Sequence, residues 1–278
     1  MKHKPIQDTK FFFATAPVPC PYLPGRMERR VVTELVGRDA VALHDALSLA
    51  GFRRSHAIVY APACIGCDAC VPVRIDAARF RPSRTHRRVW AKNTDLFVSE
   101  CEAMATPEQF RLFAAYQRRR HEAGDMAKMD YADYQALIED TPIDTAVIEF
   151  RDGDGRLVGA CLTDRVAGGL SAVYSFFDPD LDARSLGTLM ILWLIERAGE
   201  LGLGYVYLGF WIDGCKKMSY KAHFRPLEAR TAEGWRPFED VIAHTRETVD
   251  GARSEGAQAE AGADAAGTRR KRTPRPKR

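Results

Sequence analysis

The chain has 278 residues, 46% of them hydrophobic, and a formal charge of +4. That is enough apolar material for one or two domains with a real core, and it excludes a small disulfide-stapled scaffold. An odd cysteine count of seven, no apolar leader after Met1 and no uncharged apolar run longer than Leu186 to Ile195 argue for a cytoplasmic protein with reduced thiols and no membrane span.

Residues 1–19 read as irregular, with Phe11-Phe12-Phe13 able to pack on the body. Pro21, Pro24 and Gly25 make Cys20 to Arg30 a rigid turn carrying Arg26, Arg29 and Arg30. Asp39 to Ala50 has helical apolar spacing and stops at Gly51. A short strand, Ala57 to Ala61, leads to Cys64-Ile65-Gly66-Cys67-Asp68-Ala69-Cys70, and Val71 to Ile75 resumes extended chain. Two Cys-x-x-Cys steps let three thiolates converge on one ion, and Cys20 is the best fourth ligand. A zinc ion or an iron–sulfur cluster at Cys20, Cys64, Cys67 and Cys70 is the expectation. Pro72 follows Cys70 too soon for a ferredoxin run. The alternative is reduced thiols in a buried turn, bound to nothing.

Between Arg79 and Lys92 the chain carries Arg79, Arg81, Arg84, Arg87, Arg88 and Lys92 with no acid, interleaved with Phe80, His86 and Trp90. Such a segment suits a nucleic-acid backbone, with Arg84, Arg87, Arg88 and Lys92 as the contacts. The plainer alternative is a solvated basic loop. Asp95 to Cys101 reads as a strand. Thr106-Pro107-Glu108 opens a helix that ends in Arg118-Arg119-Arg120-His121, cations that suit either a helix C-terminus or a tRNA. Tyr131 to Asp140 is a second helix.

The period then changes. Thr145 to Arg151, Leu157 to Thr163 and Leu170 to Phe177 read as an antiparallel meander. Leu186 to Leu201, apolar nearly all round, reads as a buried helix. Tyr205 to Ile212 is a further strand, and Arg225 to Thr231 the last. The expected fold class is α+β. A small cysteine-containing module (1–100) precedes an N-acetyltransferase-like domain (101–240), with a helix between the central strands. From Gly251 on, eight Lys or Arg against three Asp or Glu give a +5 tail and leave −1 for the rest. Residues 251–278 are expected to be a disordered basic tail.

Four stretches combine into a family pattern: Cys20-Pro21-Tyr22-Leu23-Pro24; the triple-cysteine loop with Pro72, Arg74 and Ile75; Tyr174 to Asp180 followed by Ser185-Leu186-Gly187-Thr188; and Tyr207 to Lys221. The chain resembles the arginyl-tRNA–protein transferase family over residues 15–235, and within it the compact bacterial branch that uses leucine. Leu23, and the spaced cysteine triplet in place of an adjacent pair, set it apart from the arginyl-using members. The resemblance implies transfer of leucine from leucyl-tRNA to the α-amine of proteins beginning with Asp or Glu, marking them for N-end rule degradation. Arginine transfer is one alternative. A non-catalytic metal-containing RNA-binding or redox-sensing module is the other.

The chemistry asks little of the protein. The ester is already activated, and an α-amine with pKa near ~7.7–8.0 is partly neutral at pH 7. Positioning and oxyanion stabilisation remain, and no cofactor is required for the transfer itself. Asp178 is the candidate to hold the incoming ammonium, or else only an Asx turn. Tyr220 and Lys221 are candidates for the oxyanion or the leaving ribose oxygen. Donor contacts are expected from Tyr174, Phe176, Gly187, Tyr207, Leu208 and Trp211, and acceptor contacts from Arg26, Arg30 and Arg74. An acetyl-CoA enzyme would need a second glycine in the loop Arg184-Ser185-Leu186-Gly187-Thr188-Leu189, where Leu189 stands instead.

Overall fold

The computed structural model describes residues 10–243, apart from 121 and 123; the expected tail, 251–278, lies outside them. The first part builds β1 (Phe13–Ala14), β2 (Val18–Pro19), β3 (Met27–Glu28), β4 (Arg30–Glu34), α1 (Ala40–Leu49), β5 (Arg53–Ser55) and β6 (Ile58–Pro62). Strands β1, β4, β6 and β5 form a small antiparallel sheet in that spatial order. Gly51, at φ +94, lets the chain turn sharply out of α1 against Pro72.

Next come β7 (Cys70–Asp76), α2 (Arg84–Lys92), β8 (Phe97–Glu102), α3 (Pro107–Arg120) and α4 (Tyr131–Glu139). Local signals set these helices. Ser83 and His86 close a reciprocal capping box on α2, and Asp130 and Asp133 do the same on α4. Thr106 and Gln109 bond each other's backbone N–H at the start of α3. The segment 84–92 is therefore a helix, not a loop. His86 and Val89 are buried, and Arg84, Arg87, Arg88, Trp90 and Lys92 are exposed.

The meander is β9 (Thr145–Arg151), β10 (Leu157–Val166) and β11 (Gly169–Phe177), followed by α5 (Leu186–Glu200), β12 (Tyr205–Ile212), β13 (Leu227–Thr231) and β14 (Gly234–Pro237). The large sheet runs β14-β13-β7-β12-β11-β10-β9-β8. Every neighbouring pair is antiparallel except β11 and β12, which α5 connects. This α+β arrangement, a meander and then a parallel step across a buried helix, is N-acetyltransferase-like. Strand β10 is buried over Leu157–Asp164 because both faces of the sheet are covered. On one face α5 packs with Phe150, Val206, Leu208 and Trp211. On the other, α3 and α4 pack Phe113, Tyr134 and Ile138 on Val147, Leu162 and Phe176.

Strand β7 lies within 1–100 and β8 straddles residue 100, yet both run in the large sheet with strands from 145–237. A buried ion pair adds to this tie. Arg54 on β5 grips Asp164 on β10 through two bonds of 2.7 Å, Thr145 donates to the same carboxylate, and His44 of α1 stands 3.7 Å away. Between β12 and β13 the chain makes only a 3-10 turn, Ser219–His223, with Lys221 buried. Gly214 turns the backbone at φ +71 just before it.

Candidate active site

Strands β11 and β12 stay paired only through Gly169–Tyr205, Leu170–Val206 and Ser171–Tyr207. Beyond that point they diverge. A gap opens between them. Here a guanidinium enters it. Arg53 of β5 donates from Nη2 to Ala172 O at 2.8 Å and Val173 O at 3.0 Å. Gly209, at φ +72, makes room on the β12 side, since a Cβ there would stand 2.6 Å from Arg53 Nε. About 250 Å3 of space, partly open to solvent, lies beside Arg53 and is lined by Pro72, Ser171, Tyr207, Gly209 and Trp235; Tyr174 and Lys221 do not line it.

Lys221 closes the β12 side. It is 5% exposed, and its Nζ donates to Phe210 O at 2.5 Å. Burial, and after it the charge of Arg53, bring its pKa down to about 7. A lysine that is half neutral at physiological pH can take a proton as well as donate a hydrogen bond. The Tyr60 ring rests on Phe210 at 6.2 Å, and Tyr220 stays 42% exposed beside Lys221. Opposite, Gln117 of α3 donates to Tyr174 Oη at 2.6 Å, and burial raises the Tyr174 phenol far above its usual range.

The structure sorts the residues singled out by sequence. Tyr174 lies on the diverging part of β11, and Lys221 and Tyr220 follow β12. Phe176 turns into the α3–α4 core, while Leu208 and Trp211 turn into the α5 layer. Gly187, in the first turn of α5, packs tightly on Phe177: a Cβ there would stand 3.1 Å from the ring. Asp178 accepts from Asp180 N–H at 3.0 Å and pairs with Arg156 at 2.9 Å, as the Asx-turn alternative requires. Tyr207 and Arg74 form a separate brace. Arg74 bonds Glu228 at 2.8 Å and Tyr207 Oη at 3.2 Å, and stacks on Tyr205 and Trp235. Arg30 pairs with Glu28 and lies over Tyr60, and Arg26 is exposed. Sequence reading missed Arg53 and Gln117. Two arginines in a short strand and a glutamine mid-helix carry no local mark of what they reach.

The four cysteines are half-buried and free. Cys70 starts β7 opposite Ile212, the far end of β12, so the loop borders the open end of the gap. Burial, followed by the neighbouring thiols of Cys20, Cys64 and Cys67, pushes the Cys70 thiol up to about 12. Leu23 N–H points at Cys20 Sγ and Arg29 N–H at Cys64 Sγ, both at 3.4 Å. The donor set is right in kind for a soft metal, four sulfurs near one another. As they are placed, no three His, Cys, Asp or Glu side chains among the described residues stand close enough to grip an ion. Nor, among those residues, is any helix long and apolar enough to cross a membrane.

Comparison with known proteins sets this geometry in a family. Residues 18–88 match the pattern described as "Arginine-tRNA-protein transferase, N terminus", and residues 108–231 match its C-terminal counterpart. An aspartate/glutamate leucyltransferase from Paramagnetospirillum magneticum is 59% identical over 86% of this chain and 98% of its own. One from Granulibacter bethesdensis is 53% identical over 84% and 88%. Among solved structures, L-PGS from Bacillus licheniformis is similar at a TM-score of 0.41 and 11% identity, over 65% of this chain and 52% of that one. The chain belongs to the arginine-tRNA–protein transferase family, and within it to the aspartate/glutamate leucyltransferases.

Proposed function

We propose that this enzyme transfers leucine from leucyl-tRNA to the α-amine of proteins that begin with Asp or Glu, marking them for degradation. The carrying observation is the 59% identity to an aspartate/glutamate leucyltransferase across 98% of that relative. The geometry agrees in three places. The gap between β11 and β12, with Arg53 at its fork, is where the acyl donor is proposed to lie. The first turn of α5 lacks the second glycine that a pyrophosphate would need, with buried Leu189 in its place. Helix α2 turns Arg84, Arg87, Arg88 and Lys92 outward beside an exposed Trp90, a face suited to phosphates and to stacking.

In this reading the acceptor amine attacks the ester carbonyl carbon, a C–N bond forms, and the carbonyl pair moves onto oxygen. Collapse of that intermediate breaks the bond to the ribose oxygen. Neutral Lys221 takes the proton the amine loses, and the ribose oxygen receives one in return. Tyr174 and the Tyr60–Phe210 pair offer the leucyl side chain an apolar bed worth about 1.5–3 kcal/mol. The acceptor carboxylate meets Arg26, with Arg30 behind it. Arg74, fully engaged, holds the sheet. Cys20, Cys64, Cys67 and Cys70 would hold a zinc ion or an iron–sulfur cluster that braces this acceptor edge, with no step passing through it.

The test crosses labelled leucyl- and arginyl-tRNA with peptides beginning Asp, Glu, Lys or Arg. Leucine should go to Asp and Glu alone. Arginine incorporation above leucine would move the enzyme to the arginyl-using group, and modified Lys or Arg termini would overturn the acceptor assignment.

A further inference from the structure

We infer that Arg53 is a catalytic residue: its Nη1 donates to the ester carbonyl oxygen of the bound aminoacyl group and receives the negative charge of the tetrahedral intermediate. The inference rests on the transfer chemistry proposed above, but not on leucine, because every aminoacyl-tRNA presents the same carbonyl.

Three features carry it. The guanidinium is fixed: Nη2 is bonded to two successive carbonyls of β11, and Gly209 clears its path on the β12 side. One end is unspent. Nη1 is buried and has no hydrogen-bond partner among the described residues. A buried donor left unmade is destabilising, so a fold that holds one there is under pressure to find it an acceptor. The position is also apt. Arg53 fills the fork where β11 and β12 part, and a donor aimed in advance at a developing oxyanion needs no reorganisation during the reaction.

Gln117 repeats the pattern on the opposite wall with the opposite polarity. It is 1% exposed, its Nε2 is committed to Tyr174, and its Oε1 has no partner among the described residues. A buried acceptor there suits the α-ammonium of the donor amino acid. The fork thus presents a donor for the carbonyl and an acceptor for the ammonium.

Arg53 also acts on the proton acceptor. The groups that bear on Lys221 are Arg53, which lowers its pKa, and Cys215 and Cys70, which raise it; the Tyr220 ring lies 5.9 Å away. Removing the guanidinium should therefore let Lys221 keep its proton to higher pH.

The experiment measures single-turnover transfer and leucyl-tRNA affinity for wild type, Arg53→Lys and Arg53→Ala, across pH. The rate at saturating leucyl-tRNA should fall about 10²–10³-fold in Arg53→Ala, with affinity changed less than about threefold. The acid limb of its pH profile should move upward. Millimolar methylguanidinium should restore part of the rate to Arg53→Ala but not to Arg53→Lys. Unchanged rate, or a loss confined to affinity, would overturn the role. A variant that melts early but regains transfer with methylguanidinium supports it; one that melts early and gains nothing counts against it. If wild type uses another aminoacyl-tRNA, the leucine reading fails, and the same comparison with that donor still decides for or against Arg53.

Discussion

Lys221→Met should make the protein more stable while removing its transfer activity. Lys221 titrates at about 7 in the folded chain against 10.5 when unperturbed. Between those values the unfolded chain binds more protons than the folded one, so stability rises with pH across that window. Each pKa unit is worth about 1.4 kcal/mol, so full expression of the shift is roughly 5 kcal/mol. From pH 7 to pH 9 alone, the gain from this one group is about 2 kcal/mol. Methionine has nearly the same length and no charge, so the variant should lack this slope and be several kcal/mol more stable at pH 7, less whatever Phe210 O loses without its donor. Urea unfolding of both proteins at matched pH isolates the term, because all other groups cancel in the difference. The two curves should converge as pH rises, and the variant should lose about 10²–10⁴ in transfer rate. A stability difference flat between pH 7 and 9 would refute the assignment of a buried, half-neutral lysine. Retained activity would remove it from the chemistry.

Asp164→Ala leaves the Arg54 guanidinium buried and alone and should cost about 3–5 kcal/mol by urea unfolding, most of it recovered in the apolar pair Arg54→Met with Asp164→Leu; a loss under about 1 kcal/mol would contradict the buried pairing. Arg87→Glu with Arg88→Glu should lower leucyl-tRNA affinity about tenfold or more at low salt and flatten its salt dependence, leaving the saturated rate intact. Equal salt slopes for variant and wild type would remove α2 from the tRNA face. Anaerobically purified enzyme should carry about one equivalent of zinc or an iron–sulfur cluster, and Cys67→Ser should strip it; active protein free of both elements would end that proposal.

What could be read from the sequence was what its local chemistry encodes. The apolar circumference of Leu186 to Leu201 announced a buried helix, and Asp152-Gly153-Asp154-Gly155 announced the turn that pairs β9 with β10. The family pattern led to Tyr174 to Asp178 and Tyr207 to Lys221, segments that flank the gap between β11 and β12. The fork itself was not legible. Whether Leu208 or Tyr207 faces the gap depends on strand facing, and the register shift between Tyr207 and Gly209 resets that facing. Arg53 reaches a strand 119 residues further along, and nothing in Phe52-Arg53-Arg54-Ser55 says so. Asp178 looked like chemistry because it stands beside the gap in sequence, but its oxygens are taken by a turn and by Arg156.

The place of β7 bears on how the chain is made. This strand is hydrogen-bonded on one side to β12 and on the other to β13. Both leave the ribosome well after it, the second roughly 150 residues later, which at ~5–20 residues per second is a wait of about ten to thirty seconds. Through that interval Cys64, Cys67 and Cys70 are out of the ribosome but cannot be fixed by the strand that will hold them. The cysteine loop is therefore exposed before the fork between β11 and β12 exists. A soft metal ion, were the proposed site to take one, would meet a nascent chain, and the sheet would close around it afterwards.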